Sequence, residues 1–312
     1  MRSPSAPSAP SRRTLLSAAF AVPVLVGAGR PGTAAVAGAR GRIRALEEEY
    51  PGRIGLHALH TGTGAVLAYR ARERFALAST FKVLAVAAVL RGARTREHGL
   101  LDTLIRYGPG DLVAHSPRTE RHLATGMTVR ELCDAALRYS DNTAANLLLR
   151  RLGGPGAVTA FARALGDFRT RLDRWEPGLN GNVPGDPRDT TTPAAIAADL
   201  RTLVLGDALH PGDRRLLTRW LLGNTTGHQR IRAGLPTGWR AGDKTGTAEY
   251  GGVNDVAVAW PPEGGAPLVI SVYTTRLDPE TPGEDRIAAD LTRIAVDALA
   301  RHARPGKDTA SD

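Results

Sequence analysis

The chain has 312 residues, 42% hydrophobic and 23% charged, enough to bury a sizeable core as one large domain or two smaller ones. Its formal net charge of +10 comes from arginines spread along the chain among Asp and Glu. That distribution argues for a basic solvated surface and against a nucleic-acid partner.

Residues 1–37 contribute four of those positive charges, from Arg2, Arg12, Arg13 and Arg30, and no acid. Ser11-Arg12-Arg13-Thr14-Leu15-Leu16 has the form of a paired-arginine leader, followed by an apolar run from Leu15 to Val26 and small residues ending at Ala35-Val36-Ala37. We read 1–37 as a cleaved export signal of the twin-arginine type, with the mature chain starting near Gly38. The protein is then secreted or held in the cell envelope or periplasm. The apolar run is shorter than the ~20 residues that span a bilayer and is broken by Pro23, so a stable membrane anchor is not expected. The lone Cys133 cannot form an internal disulfide and is expected as a buried, inert thiol.

Ile43 to Tyr50 has helical spacing, Arg53 to His60 alternates as a strand, and Thr61-Gly62-Thr63-Gly64 turns the chain into a second arm from Ala65 to Tyr69. His57 and His60 fall on opposite faces and are expected at the surface or an edge, not at a metal. Ala78-Ser79-Thr80-Phe81-Lys82-Val83-Leu84 opens an apolar helix and places a hydroxyl and an amine on one face. Ser-x-x-Lys alone occurs by chance about once in a chain of this length.

The pattern stays helical to about Leu222. Thr128-Val129-Arg130-Glu131 is a capping box, Asn142 to Leu152 is a helix closed by Gly153-Gly154-Pro155, and Thr192-Pro193 caps Ala194 to Leu205. Strands return after Gly246, at Val253 to Trp260 and Pro267 to Thr275, and Asp285 to Arg301 is an amphipathic helix. The order predicts an α+β fold of the α-β sandwich kind. An antiparallel sheet domain with flanking helices (38–72 and 223–303) is built from both termini, an all-helical domain (73–222) is inserted, the active site lies between them, and 304–312 is a tail.

Two further short motifs follow Ser79-x-x-Lys82 in order, Ser140-Asp141-Asn142 between two helices and Lys244-Thr245-Gly246 entering a strand. Together they resemble the penicillin-recognising serine acyltransferases, the β-lactamases and penicillin-binding proteins. Arg171-Leu172-Asp173-Arg174-Trp175-Glu176-Pro177-Gly178-Leu179-Asn180 is similar to the omega-shaped loop of class A β-lactamases, here about 171–189. The resemblance runs from about residue 40 to the last helix.

The resemblance implies hydrolysis of penicillins and cephalosporins, a β-lactam resistance activity, by a monomer without cofactor or metal. Ser79 attacks the lactam carbonyl, backbone N–H groups of Ser79 and Thr247 hold the oxyanion, and Ser140 protonates the leaving nitrogen. Lys82 and Glu176 are both candidate bases for acylation, and Glu176 with Asn180 activates the deacylating water. Asn142 binds the acylamide side chain. Lys244, Thr245, Gly246 and Thr247 recognise the ligand with Arg230, which substitutes for an arginine absent at Pro267-Leu268; Arg232 is its alternative. Arg174 and Asp189 close the loop's neck, and the Glu176-Pro177 bond is cis.

Two neighbouring functions share the acylation set, a D-alanyl-D-alanine peptidase and a sensor that stays acylated. Glu176-Pro177 and Asn180 weigh against both. His115 stands where the family commonly has an aromatic, and with Ala114, Thr247 and Ala248 it tunes the substrate spectrum. Ala78 excludes the cysteine bridge of several carbapenem-hydrolysing relatives.

Overall fold

The computed structural model describes Met1 and residues 31–95 and 97–300. The paired arginines, the apolar run of the leader and the 304–312 tail lie outside the described residues. In chain order the elements are α1 (Pro31–Glu49), β1 (Gly52–His60), β2 (Val66–Tyr69), β3 (Phe75–Ala76), α2 (Lys82–Thr95), β4 (Leu104–Ile105), β5 (Met127–Thr128) and α3 (Val129–Arg138). There follow α4 (Asn142–Leu152), α5 (Gly156–Ala164), β6 (Thr190–Thr191), α6 (Pro193–Val204), α7 (Pro211–Leu222), the single turn α8 (Ile231–Gly234), β7 (Arg240–Ala248), β8 (Gly252–Trp260), β9 (Leu268–Arg276) and α9 (Asp285–Leu299).

The long strands form one antiparallel sheet in the order β2-β1-β9-β8-β7, so strands from both ends of the chain meet in its middle. β8 and β9 are buried along almost their whole length because apolar layers cover both faces. On one face Ile54, Leu56, Ala58, Ala257 and Ile270 pack with Ile43 of α1 and Ile287, Leu291 and Ala295 of α9. On the other, Val256, Val258, Val269 and Tyr273 join the apolar sides of α2 to α7 in one continuous core. Burying each such aliphatic side chain stabilises the fold by about 1.5–3 kcal/mol before the entropy of ordering it is subtracted.

Local signals set the helix ends near the site. Thr128 and Glu131 make the reciprocal capping box on α3, with Glu131 N donating to Thr128 Oγ1 at 3.2 Å and Thr128 N to Glu131 Oε2 at 2.7 Å. Asp141 Oδ1 caps α4 by accepting from Ala144 N at 2.8 Å, and Gly153 closes that helix at φ 97°. Thr192 Oγ1 accepts from Ala195 N at 3.2 Å ahead of Pro193.

α1 extends back to Pro31, and its Ala39 packs in the core. Three expectations are corrected. β7 begins at Arg240, which places Lys244-Thr245-Gly246 in the middle of a strand. β1 is interior, between β2 and β9, and His60 is buried where its Nδ1 accepts from Thr63 N at 3.2 Å. The helical stretch is interrupted at 97–128 and 165–192 by turns and two-residue ladders, and α6 lies against β1, β8 and β9. Cys133 is fully buried on α3, and burial pushes its thiol well above the ordinary range.

Candidate active site

Ser79 sits in a single 3-10 turn, Ala78–Phe81, directly ahead of α2, so the nucleophile lies on a tight turn and Lys82 is the first α-helical residue. Two residues with side chains at the site's edge hold a left-handed backbone, Ala78 at φ 43° and Ser140 at φ 57°. Such conformations cost on the order of 1–3 kcal/mol each and persist only where the surroundings enforce them. At Ser140 the enforcement comes from Asp141, which is fully buried and accepts from Arg118 N and Thr119 N, both at 2.9 Å, while capping α4.

Lys82 Nζ reaches Ser79 Oγ at 2.8 Å, Ser140 O at 2.7 Å, Asn142 Oδ1 at 2.7 Å and Glu176 Oε1 at 3.1 Å. An ammonium has three protons, so these four acceptors compete for them. Burial lowers the Lys82 amine below its ordinary range, with Glu176 opposing. Ser79 Oγ donates to Glu176 Oε1 at 3.2 Å, and the other carboxylate oxygen accepts from Asn180 Nδ2 at 2.7 Å. Glu176 thus faces both the nucleophile and the amine.

The 171–189 loop is held from both ends. Asp189 is fully buried, accepts from Asp173 N at 2.7 Å and Arg174 N at 2.9 Å, and pairs with Arg174 Nε at 2.5 Å. The Glu176-Pro177 peptide is cis. Asn146 clamps the backbone of Glu176 in both directions, accepting from its N at 3.0 Å and donating to its O at 2.9 Å. Asn146 was not singled out from sequence, although its place four residues after Asn142 on α4 puts both on one face.

Opposite the loop, β7 is the edge strand and lies along the nucleophile turn. A Cβ at Gly246 would stand 3.0 Å from Leu77 O and 3.1 Å from the Ala78 Cβ, so only glycine lets the strand come this close. Asn254 of β8, also missed in the sequence, donates to Ala76 O at 2.8 Å beneath the same turn. Lys244 Nζ donates to Ser140 Oγ at 3.0 Å and to Thr245 O at 2.8 Å. Its amine lies well below its ordinary range, first through burial and then through Lys82. Thr245 Oγ1 meets Thr226 Oγ1 at 2.5 Å.

The two arginine candidates separate. Arg230 runs under β7, donating to Gly246 O at 2.6 Å, Asn254 O at 2.8 Å and Thr247 Oγ1 at 2.9 Å, with Asp285 paired at 2.8 Å. Arg232 turns away to Asp243 Oδ1 at 2.6 Å and to the carbonyls of Leu221 and Leu222. His115 is exposed at φ 59°, its Nε2 3.2 Å from Tyr139 O, and Asn142 Nδ2 donates to Ala114 O at 2.9 Å. Ser79, Lys82, Ser140, Asn142, Glu176 and Asn180 therefore converge, while Lys244, Thr245, Gly246, Thr247 and Arg230 form the facing wall. Among the described residues no group of His, Cys, Asp and Glu is arranged to hold a metal ion.

Residues 39–299 match the model of the β-lactamase enzyme family. A β-lactamase of Amycolatopsis lactamdurans is 55% identical over 254 residues, covering 81% of this chain and 83% of the relative. The carbapenem-hydrolysing β-lactamase KPC of Klebsiella oxytoca is 51% identical over 256 residues, covering 81% and 86%. Among solved structures, the β-lactamase of Streptosporangium roseum superposes with a TM-score of 0.83 at 49% identity over 85% of this chain and 99% of that one. An ancestral class A β-lactamase superposes with a TM-score of 0.80 at 54% identity over 84% and 100%. A serine engaged by a buried lysine and a buried carboxylate, on a fold shared over most of the chain with these enzymes, has one consistent meaning: the chain belongs to the β-lactamase enzyme family, as a serine hydrolase of class A.

Proposed function

We propose that this β-lactamase works through a Ser79 acyl-enzyme, with each proton moved by a residue named above. The Ser79 hydroxyl proton passes to Lys82, or through a water to Glu176, as the oxygen bonds to the lactam carbonyl carbon. Backbone N–H groups of Ser79 and Thr247 hold the oxyanion. As the C–N bond breaks, Ser140 gives its proton to the ring nitrogen and is reprotonated along its contacts to Lys82 and Lys244. Glu176 then takes a proton from the water that attacks the ester, Asn180 holds that water, and as the ester C–O bond breaks the released Ser79 oxygen recovers that proton from Glu176. Asn142 binds the acylamide side chain, and Lys244, Thr245 and Arg230 bind the substrate carboxylate.

The observation that carries this reading is the double engagement of Ser79 Oγ, by Lys82 at 2.8 Å and by Glu176 at 3.2 Å. A lowered amine suits Lys82 as a proton acceptor in acylation, because the neutral form is reached at lower pH than for a free lysine. Among the two neighbouring functions, a sensor or wall peptidase gains nothing from a carboxylate clamped by Asn146 and Asn180 beside the nucleophile.

Intact-protein mass spectrometry with benzylpenicillin, alongside turnover, tests the assignment. Wild type should turn over with little adduct. Glu176→Gln should stall as a covalent adduct on Ser79, with deacylation slower by about a thousand-fold. A wild-type protein that itself stalls as the adduct would make the chain an acylated sensor or penicillin-binding protein.

The leader assignment belongs to the same proposal. Residues 1–37 direct export by the twin-arginine route, and the mature enzyme acts as a monomer without a membrane anchor. Among the described residues no helix is long and apolar enough to cross a membrane. Arg12→Lys/Arg13→Lys should trap unprocessed precursor inside the cell, and the mature mass gives the cleavage site.

A further inference from the structure

Asp199 lies on α6, outside the reacting groups, and is 2% exposed. Its Oδ2 is buried and receives no N–H or O–H donor among the described residues, yet its side chain is in hydrogen-bond contact with the carboxyl group of Asp167. Ionised carboxylates only accept, so a hydrogen bond between two of them requires a proton on one. Asp167 is supplied with donors, Arg169 N at 2.6 Å and Thr170 N at 3.1 Å on Oδ1. Asp199 Oδ2 has no such donor among the described residues, and the proton belongs there.

Asp167 shapes the turn that leads into the Glu176 loop. Its carboxylate caps residues 167–170, and Arg163 Nη1 donates to the carbonyls of Asp167 at 2.5 Å and Thr170 at 2.8 Å. Thr170 Oγ1 meets Thr191 Oγ1 at 2.6 Å, and Arg171 N donates to Thr190 O at 2.9 Å, joining the start of the loop to its end.

We propose that Asp199 is a positioning residue that keeps its proton in the folded enzyme and donates it to Asp167, so that α6 fixes the first turn of the loop carrying Glu176. The inference rests on the reading of Glu176 as the deacylation base. The charged and titratable groups facing Asp199 are Asp167 from the turn after α5, Arg163 from α5 and Tyr273 from β9.

Burial, with Asp167 adding to it and Arg163 opposing, pushes the Asp199 carboxyl up to about 9 from an ordinary 3.8. The folded state therefore holds a proton that the unfolded chain releases. The pair's contribution to stability is fully present below the unfolded value of 3.8 and is lost as pH rises toward and through about 9.

Thermal midpoints across that pH range, with single-turnover acylation and deacylation of benzylpenicillin, test this on wild type, Asp199→Asn and Asp199→Ala. The asparagine donates an N–H without titrating. It should turn over like wild type at neutral pH and lose the downward slope of stability with pH. The alanine should slow deacylation roughly ten-fold and acylation much less, below the hundred-fold cost of an ångström's misplacement. An Asp199→Asn protein with the wild-type slope overturns the protonated acid, and an Asp199→Ala protein with unchanged deacylation overturns the positioning role. If the alanine variant does not fold, the asparagine slope decides the first point. For the second, wild-type deacylation should fall as pH rises toward about 9 and Asp199→Asn should not show that fall; a fall that persists in the variant, or is absent from wild type, overturns the role. Wild type that acylates and never deacylates strikes the Glu176 reading instead, while the stability slope still decides the proton.

Discussion

Arg174 Nε and Asp189 Oδ2 meet at 2.5 Å across the neck of the 171–189 loop, and only the arginine reaches solvent, its side chain 28% exposed against 1% for the aspartate. The pair is unequal, and so are the consequences of breaking it. Asp189→Ala strands the N–H groups of Asp173 and Arg174 as well as the guanidinium, and should cost about 3 kcal/mol. Arg174→Ala leaves Asp189 with both backbone donors and should cost less. In both, burst kinetics should show deacylation falling more than acylation, because the loop carries Glu176 and not Ser79. Equal losses in both steps would show that the pair stabilises the fold without positioning the base.

Arg230 and Arg232 are two residues apart and point to different jobs. Arg230→Ala removes a charged partner from the β7 wall and should lower kcat/KM for carboxylate-bearing β-lactams by roughly ten- to a hundred-fold, mainly through KM. Arg232→Ala leaves Asp243 buried without its guanidinium and should lower the thermal midpoint with little change in KM. Steady-state kinetics and melting curves on the two variants form a crossed test, and the assignment fails if Arg232→Ala carries the larger KM effect.

Much of this site was legible in the sequence because its chemistry sits in short contiguous motifs with local structural signals. Ser79 and Lys82 share a helical face, Ser140 follows a helix whose start is written in Thr128 and Glu131, and Arg174 and Glu176 share one loop. What was not legible depends on long-range packing. Asn146 and Asn254 each look like an ordinary polar residue, and their roles exist only because the 171–189 loop and the nucleophile turn arrive from elsewhere. His60 became interior when β9 paired with β1, a pairing more than 200 residues apart. Arg230 bonds along β7 at Gly246 and Thr247 while Arg232 bonds Asp243, and sequence spacing does not encode that difference.

Gly246 offers a steric test of the close approach between β7 and the nucleophile turn. Gly246→Ala places a Cβ 3.0 Å from Leu77 O and 3.2 Å from the Thr80 methyl, against backbone and a buried side chain that cannot swing aside. Edge strand β7 should be displaced by a few tenths of an ångström, taking the Thr247 N–H off the oxyanion. Loss of one oxyanion donor costs about 2.7–4 kcal/mol of transition-state stabilisation, so kcat for acylation should fall about 10²–10³-fold with little change in the melting temperature. A variant that acylates at the wild-type rate would remove Thr247 from the oxyanion site.

Lys244 carries the last prediction, and its sign is opposite to that of Asp199. Its folded value lies well below its ordinary 10.5 because the amine is fully buried and faces Lys82. Over the interval between the two values the unfolded chain holds a proton that the folded enzyme does not. Stability from this group therefore rises with pH across that interval and levels off above the unfolded value. Lys244→Met keeps the volume and removes the titration. Its melting temperature should exceed that of wild type most at low pH, with the gap closing as the pH approaches 10.5. On the proposed roles of Lys244 activity should fall at every pH, since a methionine neither binds a carboxylate nor donates to Ser140 Oγ. A gap that stays constant from pH 5 upward would mean that Lys244 remains charged in the fold.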